Sequence, residues 1–125
     1  MKILLDTHVF IWSVMDSKRL QTGTRALMAS ADLIYVSAAS IWEIAIKARL
    51  GKIKADLGAL VEAIEESGFL ELTVTGRHAA AVAELPLLHS DPFDRLLLAQ
   101  AISEPLHFLT ADKSLQEYSP LVRFA

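Results

Sequence analysis

The sequence contains no cysteine, which excludes disulfides and thiolate metal centres and fits a reducing cytoplasm. Any metal must be held by oxygen or imidazole. The 5 glycines and 4 prolines are scattered over 125 residues, and none gathers into a linker, repeat or low-complexity tract, so residues 1–125 read as one domain. A long apolar run is also missing. Asp6 and His8 interrupt the N-terminal segment before a signal-peptide core or a membrane span could form, so the expectation is a cytoplasmic protein with no membrane association. Surplus positive charge is lacking too. A formal net charge of -3 is the wrong sign for a domain held on nucleic acid by bulk charge, so a polyanion would have to be met by a local patch and a metal.

What the chain does have is apolar content. With 53% hydrophobic and 22% charged residues, it can bury enough surface to offset the entropy of ordering. Ile3 to Leu5, Leu33 to Val36, Phe69 to Val74, Leu106 to Leu109 and Leu121 to Phe124 are short apolar or β-branched runs of strand character. Helical segments lie between them. From Asp56 to Ser67, Leu57, Leu60, Val61 and Ile64 share one face opposite Glu62, Glu65 and Glu66, and Gly68 is placed to end the helix. Ser37 to Leu50 reads the same way, with Gly51 after it. This alternation predicts an α/β fold with a mostly parallel sheet and helices on both faces.

In such folds ligands bind beyond the carboxyl ends of the strands. Asp6 follows the first strand, Thr110-Ala111-Asp112 follows the fourth, and Ser37 follows the second, with Glu43 about two turns into its helix. Each acid also has a structural reading. Asp6 and Asp112 suit helix N-caps, and in Asp91-Pro92-Phe93-Asp94 the first residue reads as a cap, the second as the first helical residue and Asp94 as a capping-box partner. For Glu43 the alternative is a solvated stripe with Ser40 and Lys47, joined by a capping box and an ion pair. Taken together, carboxylates converging on one sheet edge would raise one another's pKa values and persist mainly around a cation. Oxygen ligands favour Mg2+ or Mn2+ over zinc, and such an ion suits phosphodiester hydrolysis.

Of the other polar residues, Lys47, Arg49, Lys52 and Lys54 form a basic cluster, read first as a solvated helix exit and alternatively as a hold on an RNA backbone. Arg95 is a candidate phosphate contact, with pairing to Asp91 equally plausible. His8, His78, His89 and His107 show no zinc-helix spacing. His8 and His89 lie near acids in sequence but read as structural. Trp12 and Trp42 sit in apolar helical context and read as core rather than as base-stacking platforms.

Leu4-Leu5-Asp6-Thr7-His8, Ser37-Ala38-Ala39-Ser40-Ile41-Trp42-Glu43, Asp91-Pro92-Phe93-Asp94-Arg95 and Leu109-Thr110-Ala111-Asp112 together resemble the PIN-domain ribonucleases, and within them the VapC-like toxins of type II toxin-antitoxin pairs. The resemblance spans nearly the whole chain. It implies a five-stranded parallel sheet, an RNA substrate, a cognate antitoxin protein that inserts a segment near the acids, and a homodimer. It also implies that Asp6, Glu43 and Asp94 are metal-site acids, with Asp112 a fourth of more variable role. Asp91 then caps a helix or supports the site, and Thr7, Ser37 and Thr110 are supporting residues. Two other functions fit the residues: a non-catalytic protein-binding module whose acids survive as caps, and a phosphotransferase with Asp6 as nucleophile. Against the second, His8 stands where an Asp-x-Asp arrangement needs a carboxylate.

Overall fold

A computed structural model of the chain describes residues 1–124. Five strands form one sheet: β1 (Lys2–Leu5), β2 (Leu33–Ser37), β3 (Leu70–Leu72), β4 (His107–Thr110) and β5 (Val122–Phe124). Their order is β3-β2-β1-β4-β5 and every pairing is parallel. The helices are α1 (Thr7–Val14), α2 (Thr22–Ser30), α3 (Ala38–Arg49), α4 (Leu57–Glu66), α5 (Gly76–Ala81) and α6 (Pro92–Ser103), with short 3-10 turns at Val82–Glu84 and Lys113–Tyr118. Among the described residues no helix is long and apolar enough to cross a membrane.

All five expected strands are present, the third shorter than its apolar run because only Leu70 to Leu72 pair with β2. Strand β1 is flanked on both sides, and Ile3, Leu4 and Leu5 are fully buried, which explains why its sequence is continuously apolar instead of alternating. Its side chains divide two cores. Ile3 and Leu5 join Val9, Phe10, Leu20, Ile44 and Ile64 on one face, while Leu4 joins Leu97, Leu98, Phe108 and Leu115 on the other.

Helices α3 and α4 close in the same way. Gly51 and Gly68 adopt positive φ (74° and 79°). Behind each, two amides return to the last turn: Gly51 N to Ala48 O and Lys52 N to Lys47 O, then Gly68 N to Glu65 O and Phe69 N to Ile64 O. This is the Schellman pattern, which satisfies carbonyls that the helix itself leaves open.

A Cβ at Gly68 would meet nothing within 4 Å, so Gly68→Ala tests backbone strain alone. It should cost about 1 kcal/mol, read as a lower urea midpoint with an unchanged slope. An unchanged midpoint would show that the left-handed residue is dispensable to the end of α4.

Candidate metal centre

The chain reverses direction across the sheet at β1, with β2 and β3 to one side and β4 and β5 to the other, and the acids gather at that carboxyl edge. Asp6 caps α1. Its Oδ1 accepts from Thr7 N (2.7 Å) and its Oδ2 from Thr110 Oγ1 (2.6 Å). Thr7 Oγ1 donates to Glu43 Oε1 (2.7 Å) and lies 2.9 Å from Ser40 Oγ. Glu43 is 3% exposed, and its Oε2 accepts from Lys47 Nζ at 2.6 Å. Asp91 caps α6 through Oδ1, which accepts from the amides of Phe93 (2.8 Å) and Asp94 (3.0 Å). Asp94 Oδ2 lies 2.9 Å from His89 Nε2. Asp112 caps the turn after β4, with Oδ1 accepting from Ser114 N and Oγ.

These five acids line one cleft of about 490 Å³. Burial raises the Asp6 carboxyl above its ordinary value, more than the Thr110 hydrogen bond lowers it. Asp94 is pushed up to about 7, first by burial and then by the charges of Asp6 and Asp91, with the His89 contact opposing. Lys47 is raised by its hydrogen bond to Glu43. Asp6 and Asp94 are thus costly to ionise side by side, a cost that a bound cation would offset. His89, Asp94 and Asp112 each bring a ligand atom within 4.8 Å of the others. The donors are therefore carboxylates plus one imidazole, a set able to hold a divalent ion.

Several sequence readings need correction. Asp94 makes no reciprocal capping box: its carboxylate meets His89, while Asp91 does the capping alone. The Ser40–Glu43–Lys47 stripe is not solvated, because Ser40 and Glu43 are buried and only the ion pair is present. The cap of α3 is Ser37, which accepts from Ala39 N. Arg95 meets neither a free phosphate position nor Asp91. It is buried, and its guanidinium donates to the carbonyls of Val82, Leu85, Pro86 and His89, because that connection has few backbone partners of its own. The two tryptophans differ: Trp42 is not core, being 58% exposed and meeting Phe93 edge-on, whereas Trp12 is half-buried, packing against the core on one side and forming a wall of the cleft on the other.

The basic cluster divides. Lys47 lines the acidic cleft and Lys52 a neighbouring hollow, Lys54 lies against an apolar pocket, and Arg49 is exposed and lines none of these. Arg19 and Lys113, which sequence reasoning passed over, also line the acidic cleft. So did Gln100 escape notice. Fully buried, it accepts from Ser37 Oγ (2.6 Å) and donates to Thr73 O (3.3 Å), tying the start of α3 to α6. Its signal was a lone amide within the apolar run from Leu96 to Ala101.

The profile of the family described as PIN domain matches residues 3–120. The chain belongs to the PIN-domain family. A relative of this PIN domain, "Ribonuclease VapC22" of Mycobacterium tuberculosis, is 30% identical over 123 residues, covering 93% of this chain and 91% of the relative. The fold is shared with VapBC2 of Rickettsia felis, solved bound to a promoter DNA fragment (TM-score 0.73, 17% identity, 100% of this chain and 98% of that one). It is shared as well with a toxin-antitoxin complex from Klebsiella pneumoniae (TM-score 0.69, 20% identity, 97% and 95%).

The raised Asp94 pKa makes the stability of the metal-free PIN domain depend on pH. Between the ordinary value of 3.8 and about 7, the folded protein holds a proton that the unfolded chain has released, so stability falls as pH rises through that window. Asp94→Asn should remove this dependence, its melting temperature gaining on the parent's as pH increases. A constant difference across the window would show that Asp94 ionises freely in the fold.

Proposed function

We propose that this chain is a metal-dependent endoribonuclease, the toxin of a type II toxin-antitoxin pair, hydrolysing RNA phosphodiester bonds at the acidic cleft. The observation that carries this reading is the convergence of Asp6, Glu43, Asp91, Asp94 and Asp112 on one cleft, with ionisation of Asp6 and Asp94 suppressed. The relative named a ribonuclease supports RNA as substrate. That the fold is the one found in toxin-antitoxin complexes supports a cognate antitoxin as partner.

Asp6, Glu43, Asp94 and Asp112 would hold the cation, with His89 beside Asp94 and Asp112, and hard oxygen donors favour Mg2+ or Mn2+. Such an ion, when bound, supplies an activated water and neutralises charge building on the phosphate. The protein's own contribution is orientation. Thr110 and the Thr7 amide fix both oxygens of Asp6, and the Thr7 hydroxyl and Lys47 fix those of Glu43, the outer-partner arrangement that sets ligand direction. Arg19 and Lys113 on the cleft wall offer positive charge to the substrate backbone.

Chelation should abolish cleavage of defined RNAs, and full cleavage in excess chelator would contradict the mechanism. Asp6→Asn keeps the cap and the shape but loses the anionic oxygen. It should lower cleavage by more than about a hundredfold, the upper end for loss of a supporting partner, and leave the metal-free fold as stable or more so. Added Mn2+ should raise the melting temperature of the parent more than that of the variant. Equal metal-dependent gains with cleavage retained would exclude Asp6 as a ligand. Thr110→Val, which removes only the hydroxyl donor to Asp6, should weaken Mn2+ binding about tenfold to a hundredfold by calorimetry. Undiminished affinity would make that hydrogen bond irrelevant to the centre.

A further inference from the structure

Alongside the acids the surface changes character. A second hollow of about 400 Å³ adjoins the acidic cleft and shares His8, Trp12, Arg19 and Lys47 with it. Its apolar wall comes from Trp12, Ile11 and Ile53, its rim from Arg19, Lys47 and Lys52, and no carboxylate lines it. The carboxylates all belong to the first cavity, while its neighbour lacks them and adds Lys52 to the shared Arg19 and Trp12. Arg19 and Lys52 form no ion pair among the described residues, so their charges are available to a ligand.

Resting on the ribonuclease reading, we propose that this hollow is a nucleotide subsite. The base next to the cleaved phosphodiester of a single-stranded RNA stacks on Trp12, and its phosphate is met by Arg19 and Lys52. Trp12 suits the role because it packs partly against the core formed around Phe10 and Leu20, which holds the indole rigid while it lines both cavities. The His8 ring lies 5.9 Å away, tilted by 47°, so the two rings are not stacked face to face. Charge complementarity selects the occupant. A strand whose scissile phosphate sits over the acids must leave the cleft past some wall, and this one offers cations and an aromatic surface together, the combination that single-stranded nucleic acid uses. An acidic protein segment would find the cations but gain less from the indole.

Binding is measured apart from cleavage in an Asp6→Asn background, by anisotropy of a short fluorescein-labelled single-stranded RNA with Mg2+ present. Trp12→Ala should weaken binding about five- to a hundredfold, the range for loss of one base stack, and Trp12→Phe should recover most of it. Arg19→Gln and Lys52→Gln should each reduce the salt slope by about 0.7. With Trp42→Phe, Trp12 becomes the sole indole of a chain that has 2, and the RNA should quench its fluorescence saturably. That arm leaves Trp12 untouched and so reads the subsite whether or not Trp12→Ala folds. Unaltered affinity and salt slope with an unquenched indole overturn the proposal and assign the hollow to a protein segment. If the parent cuts RNA while these outcomes hold, the subsite alone falls. If the parent neither cuts nor binds RNA, the ribonuclease reading falls and the subsite with it.

Discussion

The register between β1 and β4 is the constraint on which the site depends. Leu5 stands opposite Leu109, the amide of Asp6 extends the ladder by donating to Leu109 O at 2.9 Å, and Thr110 is thereby set beside the Asp6 carboxylate. A slip of one residue would exchange the two faces of β1. Hydrophobicity alone would penalise such a slip weakly, because Ile3, Leu4 and Leu5 are all apolar and both faces are buried. What distinguishes the correct register is the shape of the two cores and the polar bonding at the end of the strand. The threonine that orients an acid thus also helps to specify the pairing of the sheet.

The acids are held in place mainly by neutral donors. Thr7, Thr110, Ser114 and the amides at the start of α6 fix direction without adding positive charge, and burial with neighbouring charge keeps the Asp6 and Asp94 carboxyls above their ordinary value. Among the lysines and arginines of the cleft, Lys47 is the one that pairs with an acid, Glu43, while Arg19 and Lys113 line the same cleft. Arg95 illustrates the opposite use of charge. One turn from the acids, it is committed to loop carbonyls and holds the connection that brings His89 to Asp94.

Much of this architecture was legible because local signals agreed with the global fold. The strands were apolar runs, Gly51 and Gly68 closed their helices, and Asp6 and Asp112 followed strands. Helix α3 shows where that legibility ends. Apolar residues occur all round it, so periodicity could not choose its inward face, and the fold buries Ser40 and Glu43 while leaving Trp42 outside. Burial of a carboxylate in place of an indole follows from hydrogen bonds to α1, which no spacing within α3 reveals. The basic cluster leaves Arg49, Lys52 and Lys54 exposed, as a solvated helix exit would, but its division between cavities could not be read from spacing. The left-handed residue at Gly51 redirects the chain, so positions after it leave the helical repeat, and Lys52 returns toward the side occupied by Lys47. Helix α2 gave little warning, since Gln21 at its start makes no side-chain cap.

The hydrogen bond from Thr110 to Asp6 joins residues 104 positions apart, and that separation has a meaning during synthesis. In a growing polypeptide Asp6 emerges before Glu43, but β1 keeps a bare edge until β4 has cleared the ribosome. Before then no segment contains the assembled group of acids, and a product of interrupted translation that stops short of residue 107 lacks the strand that would complete it. The centre therefore comes into being only once β4 pairs with β1 in the middle of the sheet.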